Sequence, residues 1–268
     1  MEVVILCGGQ GTRIRDVTED LPKPMLPIGN RPILWHIMKG YAGHGRKHFI
    51  LCLGYKSWFI KRYFLDYHLQ DSDFTVQLDD SNEINVHHCP SGEDWRVTLV
   101  ETGLESMTGC RVKRIQRYIS GDHFHLTYGD GLADVDLPAL ERFHLGHGRT
   151  GTVTVVGPPS RFGEIELRGP RVLEFSEKPV TTRARISGGF FMFRRDFFDR
   201  LQDDPGLVLE TGPLPQLARD GELMAYAHNG FWQPMDTSRE FKYLNDLWAR
   251  DQAPWKTWDR PAARRAAA

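Results

Sequence analysis

No apolar stretch in the chain approaches the roughly 18 residues that a membrane-spanning helix requires. A basic region followed by an apolar signal segment is missing as well, since the sequence enters a strand-like run directly after Met1, and a cytoplasmic protein is the expectation. Paired cysteines are lacking too. Cys7, Cys52, Cys89 and Cys110 are scattered with no Cys-x-x-Cys, which speaks for buried thiols over a disulfide framework. Charge of one sign does not dominate: 34 Lys and Arg against 35 Asp and Glu leave a formal net charge of -1. Nothing therefore points to nucleic acid or a membrane surface as a partner, and any attraction for phosphate has to be local. Two common nucleotide signatures are also absent. No Gly-Lys-Ser/Thr follows the first glycines, and the dinucleotide pattern would need glycine where Ile14 stands. The remaining composition, 40% hydrophobic and 26% charged over 268 residues, suits one sizeable α/β core. A single domain is expected over 1–258, with 259–268 as a frayed C-terminal tail.

What is present begins at Val3. Val3 to Leu6 is a short apolar run ended by glycines, as expected for a central parallel strand buried on both faces. Behind it come Cys7-Gly8-Gly9-Gln10-Gly11-Thr12-Arg13 and then Pro22-Lys23-Pro24-Met25. Gly8, Gly9 and Gly11 lack the Cβ atoms that would stop the backbone from closing around a triphosphate, so their N–H groups can converge on its oxygens. Arg13 and Lys23 supply the full charge that a polyanion demands. Leu6, Gln10 and Thr12 complete this candidate nucleotide cradle. Gly-Gly-x-Gly-Thr-Arg followed by Pro-Lys-Pro-Met resembles the sugar-1-phosphate nucleotidyltransferases.

Strand-like and helix-like patterns alternate through the first half. Helices are predicted over Pro32 to Tyr41, Lys56 to Leu69, Cys110 to Ile119 and, late, Asp236 to Arg250. Strands are predicted over Phe49 to Leu53, Phe124 to Tyr128, Thr152 to Val156 and Arg185 to Phe193, with a hairpin-like Glu164 to Phe175. Phe74 to Leu78, Ile84 to His88 and Arg96 to Val100 read as an antiparallel excursion of edge hairpins. The βαβ alternation predicts an α/β fold with a doubly wound, mostly parallel, Rossmann-like sheet and a small antiparallel β excursion.

Four further constellations carry chemistry. Leu126-Thr-Tyr-Gly-Asp-Gly131 places Asp130 at a strand's carboxyl end, where α/β sheets gather ligands and where a carboxylate suits Mg²⁺; a plain turn aspartate is the alternative. In Trp232-Gln-Pro-Met-Asp236, Asp236 is either the N-cap of the following helix or a second metal ligand. Glu177-Lys178, before Pro179, is either a solvated ion pair or a carboxylate and an ammonium aimed at a ligand. Within Glu101 to Arg111, Thr108-Gly109 opens a helix, which capping would explain, although such a turn can also receive a base edge or a phosphate. Cytosine offers an acceptor at O2 and a donor at N4, so Arg111 donating to O2 would suit it. His87-His88-Cys89 is read as structural, because neighbours on a strand face opposite ways.

The resemblance assigns roles to these positions. It implies that Asp130 and Asp236 jointly bind magnesium, that Arg13, Lys23 and Asp130 serve catalysis, and that Glu177 and Lys178 hold the sugar and its phosphate. Ser187, Gly188 and Gly189 would let a hexose approach the backbone. The segments Pro32 to Met38, Glu101 to Arg111, Gly230 to Thr237 and Ala253 to Trp258 narrow the likeness to the cytidylyltransferase branch, and Ser106, Thr108, Gly109 and Arg111 carry over as nucleotide contacts. The implied reaction joins CTP to α-D-glucose 1-phosphate with Mg²⁺, giving CDP-glucose and pyrophosphate in a symmetric homo-oligomer such as a hexamer. Cys7 stands where the family usually has alanine, Ser187 where it more often has asparagine, and 180–185 is unusually basic. A thymidylyl or uridylyl transferase, a glycosyltransferase and a non-catalytic sugar-nucleotide binder are the rival readings.

Overall fold

A computed structural model describes residues 1–11, 20–79, 83–88, 92–158, 164–168, 170–176 and 185–259. The first half contains β1 (Val3–Leu6), β2 (Pro27–Ile28), β3 (Arg31–Pro32), α1 (Ile33–Ala42), β4 (His48–Leu53), α2 (Ser57–Leu65), β5 (Asp73–Val76), β6 (Ile84–His88), β7 (Arg96–Glu101), α3 (Thr108–Arg114) and β8 (His123–Tyr128). The second half adds β9 (Gly131–Ala133), α4 (Leu137–His147), β10 (Gly151–Val156), β11 (Glu164–Arg168), β12 (Arg171–Ser176), β13 (Ile186–Arg194), α5 (Pro213–Arg219), β14 (Leu223–Ala227), β15 (Trp232–Pro234) and α6 (Ser238–Ala249).

Every residue of β1 is buried, and the strand lies inside a seven-stranded sheet of order β14-β10-β13-β8-β1-β4-β7. Pairing is parallel between β8 and β1, β1 and β4, β4 and β7, and β10 and β14, whereas β13 runs antiparallel to β8 and β10. The predicted α/β sheet is therefore observed with one reversed strand. Alternation along β1 sorts its side chains to two cores. Val3 and Ile5 join Leu34, Met38 and Trp255 on one face, while Val4 and Leu6 join Val112, Phe191, Phe193 and Phe198 on the other.

Three local expectations change. Arg96–Glu101 is the edge strand of the main parallel sheet, paired with β4, and only β5 and β6 form the antiparallel excursion. An edge strand is half covered, so it shows the same polar–apolar alternation as a hairpin strand. The helix after Lys56 stops at Leu65, where Asp66 is the C-cap, and leaves Trp58 62% exposed. The helix before Ile119 starts at Thr108 and gives way at Ile115 to a 3₁₀ turn, Gln116–Tyr118. The predicted hairpin at 164–175 is present as β11 and β12. Cys89, the segment 180–184 and the tail from residue 260 lie outside the described residues.

A polar network crosses the core beside β8. His125 Nε2 pairs with Glu141 Oε1 at 2.9 Å, and Arg46 donates to both oxygens of Glu141. His144 bridges His123 (3.0 Å) and Thr152 (2.7 Å). Burial holds His36 down from the ordinary 6.5 to about 4 and His144, helped by its histidine neighbours, to about 3. Burial pushes Glu141 up, but the bonds from His125 and Arg46 outweigh it and bring the carboxyl to about 2. For all three groups the folded value is the lower one, so the unfolded chain takes up protons first and stability falls with acidification. The melting temperature is expected to decline once the pH drops below about 6.5, with the Glu141 share following below about 4.5. His144→Gln should flatten the upper part of that decline; a profile unchanged by this substitution would contradict the assignment.

Candidate active site

The carboxyl ends of β1 and β8 lie side by side, with Gly129 N bonded to Leu6 O at 3.0 Å. Directly after β8, a short antiparallel ribbon closes the site. β9 pairs with β15 so that Gly131 faces Pro234, and Met235 N donates to Asp130 O at 2.8 Å. This ribbon brings Asp130, which precedes β9, next to Asp236, which follows β15. Lys23 reaches them from a single 3₁₀ turn, Lys23–Met25, started by Pro22 and anchored by the buried Pro24. Its ammonium donates to Asp130 Oδ2 at 2.5 Å and to Asp236 Oδ1 at 2.6 Å, with the lysine side chain only 9% exposed.

The alternative role for Asp236 is overturned. Thr237 is the N-cap of α6, in a capping box in which Thr237 Oγ1 accepts from Glu240 N and Glu240 Oε2 accepts from Thr237 N at 2.9 Å. The Asp236 carboxylate is thus left for the site. Two carboxylate oxygens meeting one cation form a hard donor pair of the kind Mg²⁺ takes when phosphates and water supply its remaining ligands. Among the described residues no group of three or more His, Cys, Asp or Glu side chains could hold a metal by itself.

A cleft of about 290 Å³ opens on this centre, lined by Leu6, Gly8, Gly9, Gly11, Lys23, Ser106, Met107, Thr108, Arg111, Tyr128, Asp130 and Asp236. The expected nucleotide residues are therefore largely gathered, although several side chains are engaged within the protein. Arg111 is buried. Its Nη1 donates to Leu53 O, Gly103 O and Thr102 Oγ1, each at 2.8 Å, and its Nη2 to Gly8 O at 3.1 Å and Leu104 O at 3.2 Å. The guanidinium thus ties the glycine loop to the ends of β4 and β7. Burial lowers its pKa without any risk to its charge. Ser106 Oγ accepts from Arg114 at 2.9 Å. The first amides of α3 are also taken, because Met107 N bonds to Pro205 O while Gly109 N and Cys110 N bond to Leu207 O. That helix start serves a strap over 203–209, so these three N–H groups are engaged within the protein. Thr108 is not the cap; Met107 holds that position.

Gly8 shows why the loop needs glycine. A Cβ there would fall 2.2 Å from Arg111 Nη1. Gly8→Ala is expected to push the guanidinium off its carbonyls, lower stability by roughly 1–3 kcal/mol and raise KM for the nucleotide; thermal melts and steady-state kinetics check both, and an unaltered KM would contradict the coupling.

A second cavity, about 240 Å³, shares Tyr128, Asp130 and Asp236 with the first and is completed by Ser187, Gly188, Gly189, Phe190 and Trp232. Trp232 Nε1 donates to Gly188 O at 2.7 Å, and Ser187 Oγ accepts from Gly189 N at 3.3 Å. Gly189 has φ +76°, and its Cβ would meet the Tyr128 ring at 2.6 Å. Thr12, Arg13, Glu177 and Lys178 lie outside the described residues, while Gln10 is exposed beside the loop. The sequence reading missed Tyr128, Trp232 and Glu210, which accepts bonds from Tyr128 and Thr108. For Tyr128 and Trp232 the signal was available, as each sits in a motif noted for its aspartate; Glu210 lies in none.

The family model described as nucleotidyl transferase matches residues 2–237. The chain belongs to that family. A nucleotidyl transferase relative from Salmonella typhimurium, named glucose-1-phosphate cytidylyltransferase, is 50% identical over 260 residues, covering 97% of this chain and all of the relative. The enzyme of the same name from Salmonella typhi is 49% identical over 260 residues, with 97% and 100% covered. Among solved structures, HddC from Yersinia pseudotuberculosis superposes with a TM-score of 0.67 at 20% identity, covering 92% of this chain and 99% of that one, a likeness of fold. Among the described residues no helix is long and apolar enough to cross a membrane.

Proposed function

We infer that the chain transfers a cytidylyl group from CTP to α-D-glucose 1-phosphate, releasing pyrophosphate and CDP-glucose. One observation carries the reaction type: two cavities, one cradled by the glycine loop and one by Ser187 to Gly189, open on the same pair of carboxylates. Transfer between two phosphate-bearing substrates needs such a meeting point. The base and the sugar follow from the name of the relatives that match end to end at about half identity.

The sugar phosphate oxygen attacks the α-phosphorus in line while pyrophosphate departs on the opposite side. Two polyanions have to meet, so the chain's own task is charge neutralisation and alignment. The amides at Gly8, Gly9 and Gly11, with Arg13, hold the β- and γ-phosphates, and Lys23 steadies the charge near the reacting centre. Arg111 shapes the base end through the loop carbonyls it holds. Lys178 seats the incoming phosphate, and Glu177 takes the sugar hydroxyls. Asp130 and Asp236 would hold Mg²⁺, which supplies Lewis-acid polarisation of the α-phosphate.

We place the protein in the cytoplasm as one domain over 1–258, working as a homo-oligomer with a hexamer as the candidate form. Purified protein, Mg²⁺, four nucleoside triphosphates and a set of hexose 1-phosphates, read by pyrophosphate release, test the reaction. CTP with glucose 1-phosphate should give the highest kcat/KM; a preference for UTP or dTTP would overturn the base. Lys178→Ala should weaken glucose 1-phosphate at least ~10-fold more than CTP, in keeping with the loss of a charged phosphate contact, and equal weakening of both would remove it from the sugar phosphate.

A further inference from the structure

Glu210 belongs to no motif, yet both of its carboxylate oxygens are bonded to residues that line the nucleotide cleft. Oε2 accepts from Thr108 Oγ1 at 2.8 Å, and Oε1 accepts from the Tyr128 hydroxyl. Thr108 Oγ1 in turn accepts from Leu209 N at 2.9 Å. Glu210 is exposed, so it is not there to fill the core.

A count of protons shows what this cluster offers. Thr108 and Tyr128 have one hydroxyl proton each, and both are given to Glu210. What is left for a ligand is acceptors alone: lone pairs on the two hydroxyl oxygens and on the carboxylate. Such a surface repels phosphate and favours a ligand group that donates. Its position is also defined. Thr108, near Ser106 and Arg111 in the chain, and Tyr128, two residues before Asp130, line the same cleft and meet on this one carboxylate, between the groups assigned to the base and the acid pair. In a nucleoside triphosphate, the part that spans base and α-phosphate is the pentose.

We propose that Glu210, held by Tyr128 and Thr108, accepts hydrogen bonds from the vicinal 2′- and 3′-hydroxyls of the ribose and so selects ribonucleoside over deoxyribonucleoside triphosphates. This deepens the reading above and rests on it. Two adjacent oxygens of one carboxylate match two adjacent hydroxyls, and each oxygen retains a lone pair after its internal bond.

The test measures kcat/KM for CTP, 2′-deoxy-CTP and 3′-deoxy-CTP at fixed glucose 1-phosphate, and calorimetric binding of the same three nucleotides, for the wild type, Glu210→Gln and Glu210→Ala. The wild type should favour CTP over either deoxy analogue by about 10- to 100-fold, the range of a hydrogen bond to a charged group. Glu210→Ala should bring the three nucleotides within about 3-fold of one another through loss of CTP affinity, with KM for glucose 1-phosphate unchanged. Glu210→Gln, which keeps the size and one acceptor oxygen, should keep an intermediate preference and decides the matter if the alanine variant does not fold. An equal fall for all three nucleotides, or a CTP preference that survives in Glu210→Ala, overturns the proposal. Should the wild type release no pyrophosphate, the assigned reaction fails, while the binding preference still decides the role of Glu210.

Discussion

Asp236→Asn is expected to lower kcat by about 10²- to 10³-fold, the scale on which loss of a preorganised electrostatic group slows group transfer, with little change in melting temperature. The two halves of this expectation come from separate observations. The carboxylate is aimed at the centre, where it meets the Lys23 ammonium at 2.6 Å. The start of α6 does not depend on it, because Thr237 and Glu240 satisfy the first amides between them. Asparagine keeps the shape and one acceptor oxygen while removing the charge, so the variant isolates the charge. Thr237→Ala is the matching control: it should cost about 1 kcal/mol of stability through the lost cap and spare most of the activity. If Asp236→Asn retained wild-type turnover, the carboxylate pair would have no part in the chemistry.

Lys23→Met should have an effect of similar size on turnover, for a different reason. Without the ammonium, Asp130 and Asp236 lose the cation they share, and like charges that close raise each other's energy. The variant is therefore expected to melt lower than the wild type in a chelator. Divalent ions should restore more of its stability than they add to the wild type, since binding to the folded state stabilises in proportion to ln(1 + [L]/Kd). Thermal melts in EDTA and across a Mg²⁺ series check this without any need for activity. Equal Mg²⁺ shifts in the two proteins would show that lysine and metal do not address the same carboxylates.

The sheet was legible in the sequence because its central strands are buried on both faces: the unbroken apolar runs Val3 to Leu6 and Phe49 to Leu53, and Phe124 to Tyr128 with His125 and Thr127 between its apolar residues, fall within a residue of the observed β1, β4 and β8. Edges were harder. Arg96–Glu101 is covered on one side only, and its alternation could not tell an edge of the main sheet from a separate hairpin. The ribbon of β9 and β15 escaped notice because three residues are too few to show a period. At the site, residue types that declare their chemistry, the loop glycines, Lys23, Asp130 and Asp236, were found and are brought together. Arg111 was identified as a residue that matters, but its neighbours were invisible in sequence: five acceptors, on Gly8, on Leu53 at the end of β4 and on the stretch 102–104, converge on it only in the fold. Glu210 was missed for a related reason, since an exposed carboxylate before a Pro-initiated helix looks like any surface glutamate until its partners Thr108 and Tyr128 are in view.

The β9–β15 ribbon also makes the centre a product of chain closure. Lys23 lies 107 residues before Asp130 and 213 before Asp236, and the two acids are drawn together by a ladder of only three paired positions. A substitution that frays this short ladder would part the carboxylates while leaving the seven-stranded sheet in place.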